Sequence, residues 1–239
     1  MANSALVNWT RHSPNHSGRL GHAIDTITIH CMAGDLSVES CGAMFAKVST
    51  EASSNYGIGS DGRIALYVDE TDCSWASSDL DNDRRAVTIE VANCDGAPDW
   101  PVSDAAYGAL IELVVDICRR NGIQRLVWST DRADRVEHKN GCNMTVHRDF
   151  AAKACPGNYL YHRMGEIAAA VNARLNPEEE KEMEIYHWFD QMPDWARPSA
   201  EKAFRKGLIR ADAKTGAVNV YACNLQPLVW MDRLGLLGE

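Results

Sequence analysis

Apolar and polar positions alternate most regularly over residues 25–30 (DTITIH), where β-branched side chains predict a strand ending at His30. Ser37 follows as a candidate N-cap. It opens a helix whose predicted apolar face carries Met44, Phe45 and Val48. Residues 55–68 (NYGIGSDGRIALYV) read as two strands split by Ser60-Asp61-Gly62, a hairpin signal. Residues 86–92 (AVTIEVA) are nearly all apolar, which suits a central strand covered on both faces. Glu90 is the exception. A carboxylate there is costly unless it is paired or opens into a cleft.

The clearest helical period follows Ser103, with Asp104 in its first turn. Tyr107, Leu110, Leu113, Val114, Ile117 and Cys118 share one face, and Asn121-Gly122 closes it. Residues 125–128 predict a further short strand, and the polar stretch 130–143 predicts a long surface loop. Another helix is expected from about residue 159 to 175. The acidic tract NPEEEKEME then marks a boundary. It divides the chain into a domain over 1–176, a linker over 177–184 and a small unit over 185–239. That unit has helix-like runs near 198–206 and 225–234, and alone it buries little core.

Composition narrows the class. Of 239 residues, 45% are hydrophobic and 24% charged, so a real core is expected and chain-wide disorder is excluded. The net charge of -9 argues against a nucleic-acid partner. No apolar run approaches the roughly 18 residues of a membrane span, so no membrane insertion is expected. The N-terminus lacks the apolar core of a secretory signal. The expectation is a chain that accumulates in the cytoplasm and needs another route to act outside it. Eight cysteines are scattered with no CxxC pair, which suits core packing in a reducing compartment.

Candidate chemistry centres on residues 147–155 (HRDFAAKAC), with Pro156-Gly157 following. His147 and Cys155 are both good zinc ligands, but they also suit a thiol nucleophile and its base. His30, at the end of its strand, is the natural third ligand of a site with one open position. Asp149 is expected to buttress the turn rather than bind metal.

The blocks ITIHCMAG, SSNYGIGSDGRI, VTIEVAN and VHRDFAAKACPGNYLY occur in that order across about residues 20–175. Together they resemble the type-2 N-acetylmuramoyl-L-alanine amidases, relatives of peptidoglycan recognition proteins and phage amidase endolysins. The resemblance implies an α/β fold, a mixed central β-sheet flanked by helices. It implies Zn2+ held by His30, His147 and Cys155. It also implies Glu90 as general base, with Lys153 and Tyr56 stabilising the oxyanion. The implied reaction is hydrolysis of the N-acetylmuramoyl-L-alanine bond in bacterial peptidoglycan, with glycan and stem peptide as partners. A phage or prophage endolysin, released through a holin-type lesion, is the implied setting. Two relatives stay open: a cytosolic muropeptide-recycling amidase, which shares Glu90, and a non-catalytic peptidoglycan receptor, expected to lack a zinc ligand. The run WFDQMPDWARPSAEKAFRKGLI resembles half of a surface-layer-homology-like motif. That implies wall attachment or a homo-oligomer through the C-terminal unit, and a single copy favours the second.

Overall fold

The alternating segments of the first 175 residues become short strands: β1 (Trp9–Thr10), β2 (His16–Gly18), β3 (Thr26–Cys31), β4 (Tyr56–Ile58), β5 (Ile64–Leu66), β6 (Asp72–Ser74), β7 (Ala86–Val91) and β8 (Met144–Val146). Six of them form one sheet in the order β1-β5-β4-β7-β3-β8, while β2 and β6 pair separately. Neighbours in the large sheet are parallel except β4 and β5, which form the predicted hairpin. The structure, a computed structural model, describes residues 3–177 and 184–238. It separates into two units, Met1–Leu175 and Asn176–Glu239. Most of the acidic tract proposed as a linker, residues 178–183, lies outside the described residues. No helix among the described residues is long and apolar enough to cross a membrane.

The helices of the first unit are α1 (Val38–Phe45), α2 (Leu80–Arg85), α3 (Asp104–Asn121), α4 (Arg132–Val136) and α5 (Gly157–Leu175). Ser103 caps α3 by accepting from the Ala106 N–H, and Gly122 ends it in the left-handed region at φ 72°. Strand pleating sorts β3 and β7 by face. Ile27, Ile29, Val87 and Ile89 enter a core with Leu110, Leu113, Val114 and Ile117 of α3, and Leu160, Met164 and Ile167 of α5.

The opposite face of the sheet is polar. Thr28 lies in register with both Thr88 and Thr145, and His30 with Glu90. The three threonines are fully buried. Their hydroxyls are satisfied: Thr28 Oγ1 and Thr145 Oγ1 lie 2.8 Å apart, and Asn82 of α2 bonds both, at 3.1 and 2.9 Å. Thr88 is bonded by Asn55 and Ser74. The strand that read as nearly all apolar therefore has one polar face, and that face leads to Glu90.

Three expectations are corrected. The core side of α1 carries Val38, Cys41 and Phe45, whereas Met44 and Val48 are 43% and 72% exposed. The sheet covers a stripe nearer the helix start than the one assigned. Residues 125–128 form no strand. Asn172 accepts from the Leu126 N–H and donates to its carbonyl, and Asn143 takes the Val127 N–H, so side chains satisfy groups a ladder would have used. The stretch 130–143 contains α4 and the buried Arg135, so it is anchored rather than merely solvated.

The second unit pairs β9 (Ile185–Tyr186) with β10 (Val220–Tyr221) and adds α6 (Arg197–Arg205) and α7 (Leu225–Arg233). Its core is small: Met192, Ala196, Ala200, Val218, Val220, Leu225 and Val229. Trp188, Trp195 and Trp230 stay exposed.

Candidate metal centre

The centre forms at the carboxyl ends of the parallel strands, where open α/β sheets commonly bind ligands. β3 delivers His30 beside Glu90 of β7. β8 ends at Val146, opposite Ile29, so the next residue, His147, emerges beside His30. The two imidazoles meet edge to face with centroids 5.1 Å apart. Cys155 returns from the following segment, its Sγ 3.5 Å from His30 Nδ1 and 3.3 Å from the Cys31 backbone N–H. One donor atom from each of His30, His147 and Cys155 lies within 4.8 Å of the other two.

The segment 147–155 is held by its own charges. Arg148 Nη2 donates to the Ala154 carbonyl and its Nε to the Cys155 carbonyl at 3.4 Å, closing the loop that returns the cysteine. Its guanidinium lies 4.4 Å over the Tyr161 ring. Asp149 is fully buried and receives a fork from Arg135, with Nε to Oδ2 at 2.9 Å. Asp149 therefore buttresses the turn. Gly157 sits at φ +83°, where a Cβ would lie 2.6 Å from the Trp100 Cβ, so only glycine fits this close approach.

Among the described residues four buried side-chain polar atoms lack a hydrogen-bond partner, and two of them, His30 Nε2 and Glu90 Oε2, lie at this centre. Such orphans are rare in a folded interior and point to a missing ligand. Burial, helped by the neighbouring His147 ring, lowers the His30 pKa to about 3, so its imidazole is neutral and able to coordinate. Burial, and then the charge of Lys153, also lower that of His147. The Cys31 side chain and burial raise the Cys155 thiol, whose proton a bound metal would displace. Burial pushes Glu90 well above the usual carboxylate range, an effect a nearby cation reverses. Two neutral imidazole nitrogens and one sulfur, whose proton a metal would displace, are a donor set that fits zinc.

The sequence-derived residues separate at this point. His30, His147, Cys155 and Glu90 are brought together. Lys153 is exposed on the same segment and its charge is felt at His147. Tyr56 is not brought in. It lies in register with Ile89, on the face opposite Glu90, and is fully buried in the α3 core. Its hydroxyl donates to Glu70 Oε1 at 2.6 Å and accepts from the Ser4 N–H at 2.9 Å. Those bonds make it a structural group, and the expected oxyanion role is corrected. Gly57, its neighbour, is the β4 residue beside Glu90.

Ser78 was missed. Its hydroxyl lies 3.3 Å from His147 Nε2, and the residue sits at a positive φ of 67°. Arg135 was missed as well, because its pairing with Asp149 is tertiary. Arg148 stood next to a candidate ligand, which was the one available signal.

The sequence profile of the N-acetylmuramoyl-L-alanine amidase family (Amidase 2) matches residues 20–158, more than half of the chain. The chain belongs to this family. The family segment contains all three clustered donors. No curated protein sequence matches the chain. Among solved structures, a selenomethionine derivative of AmpD shares the fold, with a TM-score of 0.52 at 18% identity over 69% of this chain and 96% of that one. A mutant endolysin from Bacillus subtilis aligns with a TM-score of 0.49 at 18% identity, over 69% and 99% of the two chains. The endolysin amidase LysCS from Clostridium intestinale URNW gives 0.47 at 18% identity, over 70% and 93%.

Proposed function

We propose that the first unit hydrolyses the amide between N-acetylmuramic acid and L-alanine in bacterial peptidoglycan, with Zn2+ held by His30, His147 and Cys155. One observation carries this reading: three zinc-type donors within 4.8 Å of one another, inside a segment of amidase-family sequence. Bound there, zinc supplies Lewis-acid polarisation of the carbonyl and acidifies water. Glu90 Oε2, without a protein partner, accepts a proton from the attacking water and returns it to the departing alanine nitrogen. Lys153, on the exposed rim, offers positive charge to the oxyanion of the tetrahedral intermediate. Arg148 and the Arg135–Asp149 pair keep Cys155 and His147 in place while these protons move.

The test is metal analysis of the purified chain together with mass spectrometry of digested wall. About one zinc per chain and stem peptides beginning at L-alanine are expected. Cleavage only in the glycan, or lysis undiminished by chelator, refutes the reading. Undiminished lysis that dies with iodoacetamide would instead assign a Cys155 thiol hydrolase.

We further infer a phage or prophage endolysin that acts on polymeric wall and leaves the cytoplasm by a holin-type route. The second unit supports this, since soluble muropeptides need no attachment device. A preference for anhydro-muropeptides over intact sacculi assigns the recycling role instead. The outward Trp188, Trp195 and Trp230 support self-association of that unit, or else wall binding. Light scattering of the full chain, beside co-sedimentation with sacculi, distinguishes them.

A further inference from the structure

The backbone around His147 is fixed by Arg148 and by the Arg135–Asp149 pair, but none of those bonds reaches the imidazole. Among the described residues, the ring's hydrogen-bond contact is with Ser78 Oγ, 3.3 Å from Nε2 and 69 residues away in sequence. Ser78 belongs to the turn between β6 and α2. It is exposed, and its φ of 67° lies in the left-handed region that favours glycine. Packing therefore gives no reason for serine over glycine at this position. The hydroxyl does.

A strained backbone persists only where its surroundings hold it. Here they do so on both sides. Asp83 accepts the N–H groups of Ala76 and Ser77, at 3.0 and 3.1 Å. Ser77 Oγ donates to the Asp79 carbonyl at 3.0 Å, and Asp79 caps α2 by accepting the Asn82 N–H at 2.9 Å. The Asn82 side chain in turn bonds Thr28 and Thr145, each two residues ahead of a candidate ligand, His30 and His147. One short helix thus grips both ligand strands and presents Ser78 to the His147 ring.

We propose that Ser78 is a positioning residue for the metal centre: its hydroxyl accepts the Nε2–H of His147, which holds the ring in one tautomer and leaves Nδ1 as the nitrogen that binds the cation. A neutral imidazole has one N–H and one lone pair, and the bond made at one nitrogen decides which nitrogen is free for a metal. Were the serine to donate to Nε2 instead, the ring proton would occupy Nδ1, the nitrogen that Ser78 leaves free. Acceptance by Ser78 is the arrangement that suits coordination. It also explains why a strained serine stands where glycine would be relaxed.

This inference rests on the ligand set given under the proposed function, and the experiment keeps the two separable. Full-length wild type, Ser78→Gly and Ser78→Ala are compared in three measurements. The first is long-range proton–nitrogen NMR of the metal-free chains, with His147→Ala identifying the His147 signals. Wild type should show a single His147 tautomer protonated at Nε2, and both variants a mixture of tautomers. The second is zinc affinity by competition with a chelator, which should weaken about 10–100-fold in both variants. The third is the thermal midpoint of the metal-free chains. That of Ser78→Gly should lie within about 2 °C of wild type or above it, because glycine relieves the strain. Weaker zinc binding in a chain at least as stable is a signature that a merely structural serine does not give. Zinc affinity of Ser78→Gly within about twofold of wild type overturns the proposal, and so does a wild-type His147 protonated at Nδ1. A midpoint that falls together with affinity overturns it as well, assigning Ser78 to the fold alone. Failure of wild type to take up zinc sinks the metal assignment instead, and the tautomer comparison then decides the role of Ser78.

Discussion

Replacing Asp149 with asparagine tests whether the turn that presents His147 is held by one buried ion pair. Arg135 is 1% exposed and Asp149 fully buried, with Nε to Oδ2 at 2.9 Å and Nη2 to Oδ1 at 2.5 Å. Asp149 Oδ2 also accepts the Val146 N–H at 3.1 Å, a bond asparagine can keep. What it cannot supply is the counter-charge. Removing one member of a buried pair costs about 3–5 kcal/mol. Here the guanidinium retains the Ser129 carbonyl at 2.8 Å and the Trp128 ring at 4.3 Å, which places the loss near the lower end, about 3 kcal/mol. For a unit of this size that lowers the midpoint by roughly 6–12 °C. Thermal melting of the metal-free full chain by circular dichroism reads it directly. Zinc affinity, measured by competition with a chelator, should weaken too, because His147 lies two residues away. The pair Arg135→Met with Asp149→Leu should regain stability without regaining zinc affinity. A midpoint for Asp149→Asn within about 2 °C of wild type would refute the role assigned to the pair.

Four further outcomes are expected. His30→Ala, His147→Ala and Cys155→Ala should each lose zinc on desalting, and any variant that retains it removes its residue from the ligand set. Glu90→Gln should retain zinc and lose about 10²–10⁴-fold in rate of wall hydrolysis; full activity means another group takes the proton. Gly57→Ala should destabilise by about 1–3 kcal/mol in urea melts, since its Cβ would lie 2.4 Å from the Tyr67 hydroxyl oxygen and 2.5 Å from a ring carbon. An unchanged midpoint contradicts that packing. Asp83, 3% exposed, is pushed up to about 6 by burial against the hydrogen bonds it accepts. Between the unfolded value near 4 and the folded one, the native chain binds the extra proton, so this group's contribution to stability falls as pH rises. Relative to Asp83→Asn, the metal-free wild type should lose about 2 kcal/mol between pH 4 and pH 7. A difference that stays flat with pH contradicts the burial argument.

The parts legible in the sequence are those with local causes. The β3 alternation, the Ser103 cap with its Gly122 terminus, and the Ser60-Asp61-Gly62 hairpin need only neighbouring residues. The convergence of His30, His147 and Cys155 was legible through their surrounding blocks, since their mutual spacing says little. The parity of β4 was not. Tyr56 and Gly57 are adjacent, and only the register of β4 on β7 decides which one faces Glu90. The polar sheet face was hidden for a related reason. Threonine reads as a strand former wherever it points, and its satisfaction by Asn82 depends on a helix from elsewhere in the chain. The stretch 125–128 looked like a strand because its side chains suit one, while Asn143 and Asn172 took the backbone bonds a neighbour would have made.

Strand order also sets when the three clustered donors can meet during the chain's own synthesis. β8 docks on β3 at the sheet edge, and His30 and Cys155 are 125 residues apart in sequence. At about 5–20 residues per second, a ribosome adds the second of these roughly 6–25 s after the first. Throughout that interval a nascent chain has a bare β3 edge and an incomplete donor set. The donor cluster is completed late, when the final sulfur clears the exit tunnel.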